Sequence, residues 1–165
     1  MIESSVPALA GVHHVKLPVS DLARSRAWYE SRLGYRLLIE FAERGQVRGL
    51  VLGHPRGGPQ LALRQDRDRA VAAAGFDYFS IGVPDKEALE TLAERLTALG
   101  ESHAGVHLAS IGWILPSLRD PDGHDLRFYT VDHHTDVDPG SEVVVRIDDA
   151  RETAERRERE LPVRG

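Results

Sequence analysis

One pattern, run twice, constrains this chain more than its composition does. The stretch from Val12 reads V-H-H-V-K-L-P-V-S-D-L, and the helical segment after it ends at Arg32-Leu33-Gly34-Tyr35. From Phe76 the order returns as F-D-Y-F-S-I-G-V-P-D-K, with a helical segment ending at Ala98-Leu99-Gly100. Laying Val19-Ser20-Asp21 over Val83-Pro84-Asp85 gives an offset of 64 residues and sets His14 over Tyr78. Self-similarity at a fixed period marks a repeated supersecondary unit. The chain is therefore expected to build one small unit twice.

Each half opens on an alternating strand. Val15, Leu17 and Val19 take one face while His14, Lys16 and Pro18 take the other, because side chains switch faces at every strand residue. The second half repeats this with Phe79, Ile81 and Val83 against Tyr78, Ser80 and Gly82. A polar N-cap follows, Ser20 or Asp21 in one half and Asp85 in the other. Apolar stripes then mark a helix: Leu22, Tyr29 and Leu33 first, and Leu89, Leu92, Ala93, Leu96 and Leu99 second. Gly34 and Gly100 suit the helix stop, where a left-handed residue favours glycine.

Short strand candidates complete each half, at 36–41, 48–52 and 60–64, and at 102–109, 113–118 and 125–131. The Pro55-Arg56-Gly57-Gly58-Pro59 loop and the Asp120-Pro121-Asp122-Gly123 turn punctuate them. The fold class is thus α+β, two tandem β-α-β-β-β modules at 1–65 and 76–132. A linker at 66–75 joins them, and a charged tail at 133–165 follows, with a strand at 143–147 and an exposed helix at 148–160. One helix covers one sheet face only, so the other face needs a partner or becomes a cavity wall.

Composition narrows the classes. The chain has no cysteine, which removes disulfide scaffolds, thiolate metal sites and cysteine nucleophiles. Its 21 Lys and Arg against 26 Asp and Glu give a net charge of −5, without the basic excess of a nucleic-acid binder. Only Lys16 and Lys86 are lysine. No apolar run approaches the ~20 residues of a membrane span, and the N-terminus lacks the order of a secretion signal. A soluble, cytoplasmic protein is expected. No G-x-S-x-G elbow, phosphate loop or dinucleotide fingerprint is present.

Two segments carry a resemblance. His14-Val15-Lys16-Leu17-Pro18-Val19-Ser20-Asp21-Leu22, then Arg24-Ser25 and Trp28-Tyr29, is the first; Arg119-Asp120-Pro121-Asp122-Gly123-His124 is the second. Together they resemble the vicinal oxygen chelate superfamily, the glyoxalase, bleomycin-resistance and extradiol dioxygenase group, over roughly residues 11–132. The resemblance implies a curved eight-stranded mixed sheet, a homodimer, and a small-molecule site. Metal-dependent members ligate a divalent ion from the first and last strand of each module, using His, Gln or Glu. Carried over here, those positions fall on His14, Ala62, Tyr78 and Arg127. Ala62 offers no donor and Arg127 is a permanent cation, repulsive to a dication. No metal or other cofactor is expected, although a two-residue slip would offer Gln60 and Asp125.

By alternation the inward face holds His14, Lys16, Ala62, Arg64, Tyr78, Ser80, Arg127 and Tyr129. Three cations, one imidazole and two phenols without an inward carboxylate suit an anionic or oxygen-rich small molecule. The ligand-binding candidates are His14, Lys16, Arg64, Tyr78, Ser80, Arg127 and Tyr129, and His14 is the candidate general base. His13 reads as structural. His103 and His107 are equally a pocket pair or an exposed face, and Trp28 and Trp113 are core or interface aromatics. Sequestration of a small molecule leads the functional readings. A metal-free isomerase, lyase or cyclase using His14 comes second, and a metal-dependent glyoxalase- or dioxygenase-type enzyme third.

Overall fold

The computed structural model describes residues 7–109 and 112–131. The strand expected at 143–147 and the helix at 148–160 lie outside them. The elements run β1 His14–Val19, α1 Leu22–Leu33, β2 Arg36–Glu43, β3 Gln46–Gly53, β4 Gln60–Gln65, α2 Arg67–Ala73, β5 Ser80–Val83, α3 Lys86–Ala98, β6 His107–Ala109, β7 Gly112–Arg119 and β8 Asp125–Thr130. The eight strands pair as two four-stranded mixed sheets, β1-β4-β3-β2 and β5-β8-β7-β6. Each has one parallel pair, β1 with β4 and β5 with β8. The α+β architecture and the duplicated β-α-β-β-β order are both present. No helix among the described residues is long and apolar enough to cross a membrane.

The opening strand and helix of each module follow from local rules. Leu17 and Val19 are buried, while His14 and Lys16 lie exposed on the opposite face. Asp21 stops the strand because its side chain accepts the Arg24 N–H at 2.9 Å, satisfying a donor that the first turn of α1 leaves free. Asp85 does the same for α3 through the Ala88 N–H. Gly34 ends α1 with φ of +79°, a conformation that costs a residue with a Cβ roughly 1–2 kcal/mol. The helices bury Trp28, Tyr29 and Leu33 from α1 and Leu89, Ala93 and Leu96 from α3. Beneath them lie Leu50, Leu52, Leu61 and Leu63 from the first sheet and Leu115, Leu126 and Phe128 from the second. Each fully buried leucine contributes about 1.5–3 kcal/mol of transfer free energy.

Four details differ from the sequence expectation. The 66–75 linker contains α2, capped by the Asp66 side chain and burying only Ala70, so it carries almost no apolar periodicity. Leu99 is 39% exposed, because α3 has already ended where it sits. β6 is three residues long; the chain before it is held by His103, whose Nε2 bonds the Thr97 hydroxyl and the Ala93 carbonyl at the end of α3. β5 starts at Ser80, which leaves Tyr78 ahead of the strand with its hydroxyl donating to the Ala73 carbonyl.

The modules are joined by the Asp120-Pro121-Asp122-Gly123-His124 turn. Asp120 accepts the main-chain N–H groups of Asp122 and His124 on one oxygen and the Tyr29 hydroxyl, at 2.8 Å, on the other. Asp122 takes the Ser20 hydroxyl and N–H, the Ser25 hydroxyl and Arg24. His124, fully buried, donates from Nε2 to the Pro18 carbonyl at 2.6 Å. The turn caps its own backbone and also anchors the second module on the end of β1 and the start of α1. Arg95 of α3 donates to the carbonyls of Ser31 and Arg32, which extends the junction along the last turn of α1.

Candidate functional site

Cross-strand register defines what the helix-free face of the first sheet presents. Directly paired residues share a face, and the ladder sets His14 beside Gln60 and Lys16 beside Ala62, then Val51, then Ile39. The next row is Pro18, Arg64, Gly49 and Phe41. These rows floor and wall a cavity of about 400 Å³, with His13 and His14 at one side and Glu43 at the other. A β-bulge at Leu38 makes this possible. Leu37 pairs with Leu52 on the core side, yet Ile39 pairs with Val51, so the inserted residue turns Ile39 and Phe41 toward the cavity. Both are half exposed there.

Its polar groups are few. The His13 and His14 rings meet edge to face, Nδ1 to Nδ1 at 2.9 Å. His13, read from the sequence as structural, also lines the cavity beside His14. Arg64 grips Glu43 through two donors, at 2.6 and 3.0 Å. That bond, ahead of the Coulomb attraction, holds the Glu43 carboxyl below its ordinary range and raises the Arg64 guanidinium. The expectation of an inward face without a carboxylate is corrected by this pair. Lys16 forms no ion pair among the described residues.

The remaining candidates stand on the second sheet. Ser80 pairs with Arg127 and Gly82 with Tyr129 across β5 and β8. None of Tyr78, Ser80, Arg127 and Tyr129 lines the cavity of the first sheet. The seven expected ligand residues thus divide into two groups, one per module. Arg127 meets Asp77 at 3.0 Å, a second carboxylate the sequence reading lacked. A hydrogen bond donated to the Tyr129 oxygen, and then the Asp77 charge, raise the Arg127 guanidinium. The Asp125 Oδ1 and Arg127 Nε atoms are buried without a hydrogen-bond partner among the described residues. His103 and His107 both bond main-chain carbonyls, as helix and loop ties.

A wider crevice of about 790 Å³ opens at the module junction, between the β3–β4 loop and the start of α3. Its floor is core, Leu33, Tyr35, Ile81 and Phe128 among it, and none of the expected ligand residues reaches it. The first-sheet cavity is the better candidate because an apolar wall and several polar groups converge in it.

The inherited metal positions are decided by their side chains. Ala62 lines the cavity beside Lys16 and carries no donor, and Arg127 stands in the other module with its charge turned to Asp77. Among the described residues no group of three or more His, Asp and Glu side chains converges as a cation site. A divalent ion needs several such donors at about 2.0–2.2 Å, and the residues at these four positions do not fit one.

The fold and the cavity on the open sheet face define a class, which comparison with known proteins makes specific. The chain belongs to the Glyoxalase/Bleomycin resistance protein/Dioxygenase superfamily, whose sequence profile matches residues 11–128. It is 28% identical over 102 residues to the catechol-2,3-dioxygenase of Bacillus subtilis strain 168, an alignment covering 61% of this chain and 36% of that enzyme. The chain thus spans about a third of the length of that curated relative. A glyoxylase/bleomycin resistance protein/dioxygenase domain from Frankia sp. EAN1pec superposes with a TM-score of 0.61 at 29% identity, covering 74% of this chain and 98% of that one. TnmS3, an antibiotic binding protein from Streptomyces sp. CB03234, superposes at 0.63 with 18% identity, covering 76% and 98%; at that identity the likeness is one of fold.

Proposed function

We propose that this protein binds an anionic or oxygen-rich small molecule in the cavity of its first sheet, without a divalent ion at the positions where metal-dependent relatives keep one. The carrying observation is Lys16. Among the described residues it has no ion-pair partner, on a face whose neighbouring positions, Ala62, Val51 and Ile39, are apolar. With Arg64 neutralised by Glu43, one net positive charge remains to greet a ligand. The nearby face carries an imidazole pair and Gln60, which can accept or donate to ligand oxygens.

A homodimer fits this reading. The cavity is open, and Ser80, Arg127 and Tyr129 occupy the matching face of the other module without reaching it. A second copy laying that face over His14 and Lys16 would bring those three residues to the same cavity. Sequestration is the leading role here, and TnmS3, which shares the fold, is an antibiotic binding protein.

One observation favours a catalytic second reading. The Nδ1-to-Nδ1 contact fixes the His14 ring and, among the described residues, leaves its Nε2 without a hydrogen-bond partner, as a metal-free isomerase or lyase would need of its general base. Two measurements separate the possibilities. Purification without chelator followed by elemental analysis is expected to give less than stoichiometric Mn, Fe, Ni or Zn; a full equivalent lost in His14→Ala would sink the metal-free reading. A ligand found by screening is expected to be recovered unchanged after long incubation, and turnover abolished in His14→Ala with binding retained would favour the enzyme.

A further inference from the structure

The three inward cations of this protein are not equivalent. Arg64 is held by Glu43 and Arg127 by Asp77, each within 3.0 Å. Lys16 alone among them has no carboxylate partner within the described residues. Its place is also distinctive. It stands at one end of a cross-strand row whose other members are Ala62, Val51 and Ile39. Adjacent strands lie about 4.8 Å apart, so the row spans roughly 14 Å from the backbone of Lys16 to that of Ile39. The floor between is flat: Ala62 has a single methyl, and Gly49 in the next row has none. A Cβ added at Gly49 would lie 3.2 Å from the Leu63 carbonyl and 3.7 Å from the Phe41 ring. Any longer side chain there would rise into the space beside that ring. Phe41 is half exposed and leaves an aromatic surface for a guest.

Positive at one end, flat in the middle and apolar at the other, the cavity has a polarity. Glu43, held by Arg64, closes the end beyond Phe41 as a neutral pair and adds a constraint, because a second negative group on the guest would find no free cation there. We propose that the cavity selects a planar aromatic monoanion, with its acidic group at Lys16 beside His14 and its ring over Ala62 and Gly49 against Phe41. This rests on the small-molecule reading above and adds class, orientation and charge to it.

The test uses the full chain and three probes of one shape: 2-naphthoate, its neutral counterpart 2-naphthalenemethanol, and 2,6-naphthalenedicarboxylate, titrated by calorimetry and probe fluorescence. The monoanion is expected to bind about ten-fold tighter than the alcohol, the size of one hydrogen bond to a charged group, and tighter than the dianion. Lys16→Met is expected to abolish the preference for the monoanion while leaving the alcohol's affinity unchanged. Removing the neutral pair together, Arg64→Met with Glu43→Gln, leaves the net charge of the cavity unchanged and is expected to preserve that preference. Phe41→Ala, a change at a half-exposed site, is expected to weaken monoanion and alcohol alike. Equal binding of alcohol and monoanion overturns the proposal and leaves the cavity reading standing. So does a preference that survives Lys16→Met. Failure of all three probes to bind overturns the cavity reading and this proposal together.

Discussion

Asp122 and Ser20 belong to different modules and meet through two hydrogen bonds: the Ser20 hydroxyl donates to Oδ1 at 2.5 Å, and its main-chain N–H donates to Oδ2 at 3.1 Å. Arg24 adds a third donor at 3.0 Å, and the Asp122 side chain is only 6% exposed. Burial alone would raise this carboxyl, but the bonds from Ser20, the Arg24 charge and the Ser25 hydroxyl outweigh it and hold it below its ordinary value of 3.8. A lowered value means that the carboxylate stabilises the fold above about pH 4, a contribution lost as pH falls through the folded value. Asp122→Ala is expected to cost about 2–3 kcal/mol at neutral pH in urea unfolding, since it strips several donors of a charged acceptor. Its penalty should shrink steadily in acid below pH 4, and a penalty independent of pH would contradict this account.

Asp120, two residues away, has the opposite sign. Burial raises its carboxyl above the ordinary 3.8, against the pull of His124, the Tyr29 hydroxyl and two main-chain N–H groups. The folded state therefore takes up this proton before the unfolded chain does, so acid entering that window favours the fold. Tyr29→Phe removes the hydroxyl that donates to Asp120 at 2.8 Å and leaves a buried carboxylate oxygen with one donor fewer. The expected cost is about 1–3 kcal/mol at pH 7. Protonation of Asp120 should relieve part of it, so the wild-type and variant stabilities are expected to converge as pH drops toward 4. Denaturant midpoints measured at pH 7 and pH 4 decide the matter.

At the alkaline end two phenols govern. Burial first, then the Asp120 charge, pushes the Tyr29 hydroxyl well above 10, and burial pushes Tyr35 up to about 12. Raised values mean that the neutral phenols stabilise the fold fully below pH 10, and that this is lost as pH climbs through the folded values. The chain has four tyrosines. Absorbance of phenolate near 295 nm is expected to report at most two of them ionised at about pH 11. The others should ionise together with loss of the near-UV circular dichroism signal. Four phenolates at that pH with the fold intact would refute the burial argument.

Where the sequence was legible, one local rule sufficed. Alternation placed His14 and Lys16 opposite Leu17 and Val19, a capping aspartate began each long helix, and the Asp-Pro-Asp-Gly turn preceded the last strand. The rest depended on interactions that no local window contains. The bulge at Leu38 inverts the facing of Ile39 and Phe41, which simple alternation from Leu37 would have sent into the core. Glu43 becomes the partner of Arg64 only after β2, β3 and β4 align. The separation of Arg127 from His14 is a property of module packing. It is set by contacts such as His124 with Pro18, 106 positions apart in the chain. Asp120 and Asp122 were readable as turn residues, but their grip on Tyr29 and Ser20 was not.

The Arg64–Glu43 pair yields a last prediction, because it decides how many charges the cavity offers. Its side chains are 42% and 57% exposed, so water screens the attraction and the pair adds little to global stability. Its effect lies in the ligand's view of the cavity. Glu43→Gln keeps the shape and removes the charge that neutralises Arg64, which leaves two free cations facing inward, Arg64 and Lys16. A dianion such as 2,6-naphthalenedicarboxylate should then gain affinity, by about two- to five-fold on the scale of exposed charge pairs. The monoanion 2-naphthoate, engaged at Lys16, should change far less. Raising sodium chloride from about 0.1 M to 1 M shortens the screening length from about 10 Å to 3 Å and should erase most of the dianion's gain. Titration of both probes against wild type and Glu43→Gln at the two salt concentrations measures this directly. An equal gain for monoanion and dianion would mean that Glu43 acts on the cavity through its shape and not through its charge.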